Sequence, residues 1–169
     1  MSLTYVLLGV APVSTGLFTG LLMTILFFFQ RALKDLPGPE FALVIRRFLE
    51  IVRTHPLNYI MVIASGTVPV GVLVMLRQSP GSLQFVLTLL GLLAFWCGPI
   101  LTSRFLVEPV YDVFLGWQSD SPPTDWRTTR DRYFRLNVVR GFGSALAFVW
   151  FVAALGGGRL VPWARSSQL

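Results

Sequence analysis

The sequence predicts an all-α membrane protein, a four-transmembrane-helix antiparallel bundle with an amphipathic helix between the first and second spans. The chain of 169 residues is 54% hydrophobic and only 13% charged, and its mean hydropathy is +0.67. This is more apolar surface than a soluble domain of this size buries. The apolar residues form four long runs, and most charges lie between them. We therefore expect residues 1–169 to form a single integral membrane domain.

The first span is predicted at residues 6–29. About 24 residues, at a rise of about 1.5 Å each, cross a hydrocarbon core of about 30 Å with some tilt. Residues 39–54 follow, with Pro39 where a helix would begin. Their apolar side chains recur at spacings of three and four, and their charges fall elsewhere on the helical wheel. This pattern predicts an amphipathic helix on the membrane surface or under the bundle.

The second and third spans are predicted at residues 57–76 and 83–101, separated by a short turn rich in helix breakers. So short a connection requires the third helix to return antiparallel to the second. Pro99 is expected to kink the third span. Residues 102–117 are expected to continue it as a broken or amphipathic extension.

The fourth span is predicted at residues 135–155, inside a longer helix that begins near Trp126. Residues 126–155 contain no proline and would extend about 45 Å as a helix. The first third of this segment is charged, whereas the last two thirds are apolar. We therefore expect the helix to begin in water and to enter the membrane after its first turns.

The basic residues predict how the chain is oriented. Of 14 Lys and Arg residues, most flank the apolar runs instead of forming one stripe, which indicates contact with lipid headgroups and no nucleic-acid partner. Both termini are expected outside the cytoplasm, in a plasma or other inner-type membrane. The cations of the first and third connections are Arg31, Lys34, Arg46, Arg47, Arg53, Arg104, Arg127, Arg130, Arg132 and Arg135, against Arg77, Arg159 and Arg165 on the opposite side.

Neither a metal site nor a cofactor site is predicted. Cys97 is the only cysteine and His55 the only histidine, so an internal disulfide is impossible, and these two side chains alone would not complete a metal site. Phosphate-binding loops, nucleophile elbows and zinc-binding His-Glu helices are absent from the sequence. The residues leave open whether the chain is an enzyme.

Polar residues enter the predicted membrane at the head of the fourth span. Asn137 and Arg140 lie one turn apart and align with Arg130 and Tyr133 at spacings of three and four. An arginine inside the membrane needs a partner or a function. One interpretation is that these side chains face the bundle interior. The alternative is that Arg140 extends toward cytoplasmic phosphates while Asn137 caps a neighbouring backbone group.

Acidic residues and a histidine lie at the ends of the other spans. Glu108 and Asp112, one turn apart, are the candidate counter-charges for Arg140, although they could instead pair with the Arg-rich start of the last helix. His55 can exchange protons near neutral pH and stands at the mouth of the second span. The alternative role for His55 is a solvated helix cap.

Small and aromatic residues supply candidate packing and pocket surfaces. Small side chains allow helices to approach closely, which is the role expected of Gly16, Gly20, Gly141, Gly143, Ser144, Ala145 and Ala147. The tryptophans that could line a pocket are Trp96, Trp126 and Trp150.

Sparse polar positions give the chain a family resemblance. They are Trp126, Arg130, Arg132-Tyr133, Asn137 and Arg140 in the last helix, preceded by Glu108-Pro109 and by Asn58 at the head of the second span. This pattern resembles the anthrone oxygenase-like family of small four-helix membrane proteins, a domain family largely of unknown function, from the Gly16-to-Gly20 region through about Leu155. The resemblance implies that the chain could oxidise an anthrone-type aromatic to a quinone with dioxygen, without metal or organic cofactor.

Such chemistry implies a base to remove a proton and a cation to hold the resulting anion. By this resemblance Arg140 and Arg130 would hold the anion, Asn137 would orient it, and His55 or Glu108 would accept the proton. Some relatives have His where this chain has Asn137, and an amide cannot act as a base, which favours a binding or structural role here. The residues expected to contact the substrate are Asn58, Tyr111, Trp126 and Tyr133.

Two further classes of function are compatible with the sequence. The chain could be a non-catalytic accessory subunit that packs through its Gly and Phe surfaces against a larger membrane complex, such as a pigment or redox assembly. It could also be a transporter or channel, but it has no inverted repeat and few intramembrane charges. The expected partners are therefore the lipid bilayer and either a larger membrane complex or further copies of the chain.

Overall fold

A computed structural model describes residues 2–118 and 121–157 of the chain. The part of the chain that it describes forms five helices and no strand. Four of them are long and apolar enough to cross a membrane, so the predicted all-α fold with four candidate spans is confirmed. Arg159 and Arg165, two of the cations used to predict the orientation of the chain, lie outside the described residues. The helices are α1 Leu3–Lys34, α2 Gly38–Thr54, α3 Pro56–Met75, α4 Leu83–Leu115 and α5 Trp126–Gly157.

The four long helices form an antiparallel bundle in which each one has two long neighbours. Helix α1 packs against α3 and α5, and α4 packs against the same two helices. Exposed apolar side chains cover the outside of the bundle; examples are Leu17, Ile63, Phe105 and Phe142. This is the distribution expected of helices whose outer surface faces lipid, since apolar exposure in water would be unfavourable.

Helix α2 covers one end of the bundle with its apolar face. Phe41, Ile45 and Leu49 are completely buried, whereas Arg47 on the same helix is largely exposed. The buried face contacts the last turns of α4 and the first turns of α5. At this contact the Phe41 ring lies 5.2 Å from that of Trp126, and such aromatic pairs contribute about 0.5–1.5 kcal/mol beyond their burial.

Two of the long helices contain wider π-helical turns. One lies in α1 at Ile25–Phe29, and two lie in α4 at Trp96–Ile100 and Ser103–Val107. The first turn in α4 contains Pro99, where the sequence predicts a kink. Each π turn accommodates one extra residue, which rotates the following residues by about 100° relative to a continuous α-helix. Helix α4 therefore runs on to Leu115 with a changed side-chain register.

Glycines bring α4 and α5 into backbone contact. A Cβ atom added at Gly143 would lie only 2.6 Å from the Cα atom of Gly98. Gly16 is also confined, because its Cβ would lie 2.9 Å from the Phe148 ring. The predicted close-packing role is thus confirmed at Gly143 and Gly16. It is wrong at Gly20, where a Cβ would meet nothing within 4 Å.

Candidate functional site

A pocket of about 430 Å³ lies where all five helices meet. This volume falls in the range of sites that enclose one small molecule. Apolar side chains form part of the wall, and polar side chains form the rest. The apolar group is Phe18, Val52, Val62 and Ile100, and the polar group is Arg53, Asn58, Tyr59, Ser103, Arg104, Glu108, Tyr111 and Arg140.

The charges around this pocket favour an anionic group. Three arginines, Arg53, Arg104 and Arg140, line it against one carboxylate, that of Glu108. Charges in a protein pocket are screened less than charges in water, so this imbalance acts more strongly on a bound ligand than it would in water. A molecule with an apolar body and one acidic group therefore matches both halves of the wall.

Arg140 is held in the pocket wall by two neutral partners. Its Nη1 atom donates to the Asn137 Oδ1 atom at 2.9 Å and to the Tyr111 hydroxyl oxygen at 3.2 Å. Asn137 lies one turn earlier on α5, whereas Tyr111 comes from α4, so the bonds fix the guanidinium between two helices. The sequence-based alignment of Asn137 with Arg140 therefore corresponds to a direct contact.

Two donors of this cluster have no acceptor. The Asn137 Nδ2 atom and the Arg140 Nε atom are buried and make no hydrogen bond within the described residues. Buried donors are nearly always paired, and leaving one unpaired costs about 1–3 kcal/mol. Because Arg140 lines the pocket, its unpaired donor and the excess of positive charge make this end of the pocket a place where an acceptor oxygen would be stabilised.

The acidic residues of α4 pair with Arg53 and not with Arg140. The Arg53 Nη2 atom lies 2.9 Å from a carboxylate oxygen of Glu108, and its Nη1 atom lies 3.1 Å from one of Asp112. Both predicted pairings are therefore wrong, since Arg53 belongs to the C-terminal turn of α2 and not to α5. The reason is that α2 packs beside the end of α4, which places its last cation between the two acids.

The junction of α2 and α3 is closed by local hydrogen bonds. The Asn58 Nδ2 atom donates to the Val52 carbonyl at 3.4 Å, and the Tyr59 hydroxyl donates to the Arg53 carbonyl. His55 caps α3, its Nδ1 atom accepting from the Leu57 backbone at 3.3 Å. His55 is exposed and does not line this pocket, so its position matches the helix-cap interpretation.

Arg130 and Trp126 belong to a different cluster from Arg140. The Arg130 guanidinium lies 5.2 Å from the Trp126 ring centre and donates to the Lys34 carbonyl at 2.9 Å. Although the positions 130 and 140 share one face of α5, ten residues of helix separate them by about 15 Å. The structure therefore does not bring Arg130 and Trp126 to the pocket.

Tyr133 lies behind the pocket wall. It is almost completely buried, and its ring packs 5.8 Å from that of Tyr111 and 5.6 Å, edge to face, from that of Phe114. It therefore supports Tyr111 instead of contacting a ligand directly. Trp96 is 45% exposed, and neither it nor Trp150 lines the pocket.

Sequence reasoning missed several pocket residues. Arg53 and Arg104 were used only to predict the orientation of the chain in the membrane. Phe18, Tyr59 and Ser103 were not predicted to be site residues. One available signal was the group of polar side chains around the start of the second span, Arg53, Thr54, His55, Asn58 and Tyr59. Another was the spacing of four between Arg104 and Glu108, which places them on one face of a helix.

We expect Arg53→Met to lower the free energy of unfolding in detergent by about 2 kcal/mol or less. Both ion pairs are partly exposed, and exposed pairs contribute about 0–1 kcal/mol each. Denaturant unfolding followed by circular dichroism measures the change. Arg47→Met is the matched control, because Arg47 is 79% exposed and its pair with Glu50 is longer, at 3.4 Å. A loss of several kcal/mol at Arg53 alone would contradict the expectation.

The donor groups of the pocket can hold an anion. Among the described residues, no three His, Cys, Asp or Glu side chains lie close enough together to hold a metal ion. Comparisons with protein-family models, with curated proteins and with solved structures found no match to this chain.

Proposed function

We propose that this polytopic membrane protein is an oxygenase of the anthrone oxygenase-like type, acting on an apolar aromatic molecule that carries an ionisable phenol. The proposal rests on Arg140, a cation in the pocket wall. Its hydrogen-bond partners among the described residues are all neutral, and its buried Nε donor has no partner among them. A deprotonated aromatic substrate has the charge and the apolar body that such a wall would stabilise.

The proposed roles follow from which side chains reach the pocket. Arg140 would hold the phenolate oxygen, and Tyr111 would donate or accept beside it. Asn137 would act as a positioning residue, since its contact with the pocket runs through Arg140. Glu108 is the better candidate base, because it lines the pocket and His55 does not. Arg130 and Trp126 receive no role in the reaction.

In the proposed reaction the methylene group of an anthrone loses a proton, and the resulting anion is oxidised by dioxygen. The methylene carbon becomes a carbonyl, so each molecule of substrate consumes one dioxygen and releases one water. Negative charge spreads from the methylene carbon to the phenolate oxygens in the anion, which is where a fixed cation lowers the barrier. An apolar substrate would reach the pocket from the bilayer, where it is concentrated.

We also propose that the pocket end of the bundle faces the cytoplasm and that both termini lie on the other side. Cations of the first and third connections lie at this end of the helices; Arg53 and Arg104 line the pocket itself. Cytoplasmic segments carry an excess of Lys and Arg. The membrane would be a plasma or other inner-type membrane.

The proposal is tested by oxygen uptake. Purified protein in mild detergent is supplied with a hydroxylated anthrone, which carries the phenol, and dioxygen consumption is measured together with quinone absorbance. We expect protein-dependent uptake with one dioxygen per quinone, abolished by heat denaturation and unchanged by a metal chelator. Uptake no faster than the spontaneous oxidation of anthrone would contradict the proposal.

The accessory-subunit hypothesis makes a different prediction for the same preparation. It requires a larger membrane protein that co-purifies in mild detergent, together with an absence of turnover by the isolated chain. A homogeneous preparation that turns over the substrate without a partner would exclude it.

A further inference from the structure

A second pocket, of about 560 Å³, lies at the charged end of α1, away from the first. Its polar wall comes from the last turns of that helix and the residue after it: Gln30, Arg31, Lys34 and Asp35. Its apolar wall includes Phe27 and Leu26 of α1 and Phe134 of α5. This pocket shares no lining residue with the one that contains Arg140, so the two are separate sites.

The cations of this pocket are free to bind a ligand. Arg31 and Lys34 are exposed, and the ion pairs formed by the described residues join other side chains. With Asp35 the lining carries two positive charges against one negative charge. The net charge therefore favours an anion.

Gln30 contributes a buried hydrogen-bond donor to this pocket. The residue is only 6% exposed, and its Nε2 atom makes no hydrogen bond within the described residues. A buried amide donor without an acceptor is destabilising, and an anionic oxygen is the acceptor that satisfies it best. Because Gln30 lines the pocket together with Arg31 and Lys34, we infer that the missing acceptor comes from a ligand there.

Arg130 makes this end of α1 suitable for an anion. The carbonyl end of a helix carries partial negative charge, which would repel an anion. Here the Arg130 Nη1 atom donates to the Lys34 carbonyl at 2.9 Å, and the guanidinium stacks 5.8 Å from the Phe134 ring centre. The hydrogen bond satisfies one carbonyl at the helix end, and the stacking places Phe134 of the apolar wall beside the same guanidinium, which also pairs with Asp131 at 2.9 Å.

We propose that this pocket, defined by Gln30, Arg31 and Lys34, binds the phosphate of an anionic phospholipid whose acyl chain follows Phe27 and Phe134. The phosphate would accept from the Gln30 amide and lie between the two cations. A lipid fits better than a soluble phosphate because the apolar wall adjoins the phosphate position and Phe27 is 59% exposed at the bundle surface. Cation clusters at the end of a membrane helix recognise anionic headgroups in this way.

The test reconstitutes the full chain in vesicles of equal parts phosphatidylglycerol and phosphatidylcholine. After extraction into detergent, the lipids retained by the protein are measured by native mass spectrometry. We expect phosphatidylglycerol to be retained preferentially, and the preference to fall about fivefold for each charge removed in R31A/K34A. Gln30→Met, which keeps size and charge but removes the donor, should also lower the preference.

The control R132A/R135A removes two charges from exposed positions of α5 that do not line this pocket. It should retain the wild-type preference, and none of the variants should be less stable than the wild type to unfolding in detergent. Equal losses in both double variants, or no effect of Gln30→Met, would overturn the proposal in favour of a diffuse cationic surface. Displacement of the lipid by soluble glycerol phosphate as readily as by phosphatidylglycerol would overturn the lipid assignment in favour of a free phosphate.

Discussion

Replacing Arg140 with alanine is expected to reduce oxygen uptake with anthrone by about a hundredfold or more. Removing one donor that stabilises a developing oxyanion has effects of about 10²–10³ on turnover, and Arg140 carries both the charge and the donors at this end of the pocket. Uptake and quinone formation, measured with substrate well above its KM, report the change in kcat directly.

Matched variants separate catalysis from folding. Arg140→Lys keeps the charge but not the planar donor group, so we expect partial activity, since a lysine cannot reproduce two fixed hydrogen bonds. Arg132→Ala, at an exposed position on the same helix, should have full activity. Denaturant unfolding of each variant shows whether the bundle survives. A folded Arg140→Ala protein with wild-type turnover would exclude the proposed role of Arg140.

Gly143→Ala is expected to destabilise the bundle by a net amount of up to about 2 kcal/mol. Its added Cβ would lie 2.6 Å from the Cα atom of Gly98, and a backbone atom cannot move aside as a flexible side chain can. Overpacking typically costs about 1–3 kcal/mol, which exceeds the gain of about 1 kcal/mol in helix propensity. The free energy of unfolding in detergent measures the net effect.

Gly20→Ala is the matched control for this prediction. A Cβ at Gly20 meets nothing within 4 Å, so only the gain in helix propensity remains, and the variant should be as stable as the wild type or slightly more stable. The two alanine variants should therefore change stability in opposite directions. Equal effects would mean that α4 and α5 do not approach at Gly98 and Gly143 as described.

The candidate site was only partly predictable. Asn137 and Arg140 were found because a spacing of three on one helix becomes a contact whatever the neighbouring helices do. The predicted partners of Glu108 and Asp112 were wrong because their partner, Arg53, belongs to α2, and sequence spacing says nothing about which helix end lies beside another. Arg130 was grouped with Arg140 by its shared face, although the distance along α5 keeps them apart.

The sequence by itself determined the four candidate spans, because the length of an apolar run and the need to satisfy the backbone within lipid are properties of each segment alone. The tertiary structure decided which side chains meet in the pocket. The π turns of α4 rotate Glu108 and Tyr111 relative to a regular helix, and α2 brings Arg53 to them. Both effects depend on packing between helices, which no local pattern in the chain encodes.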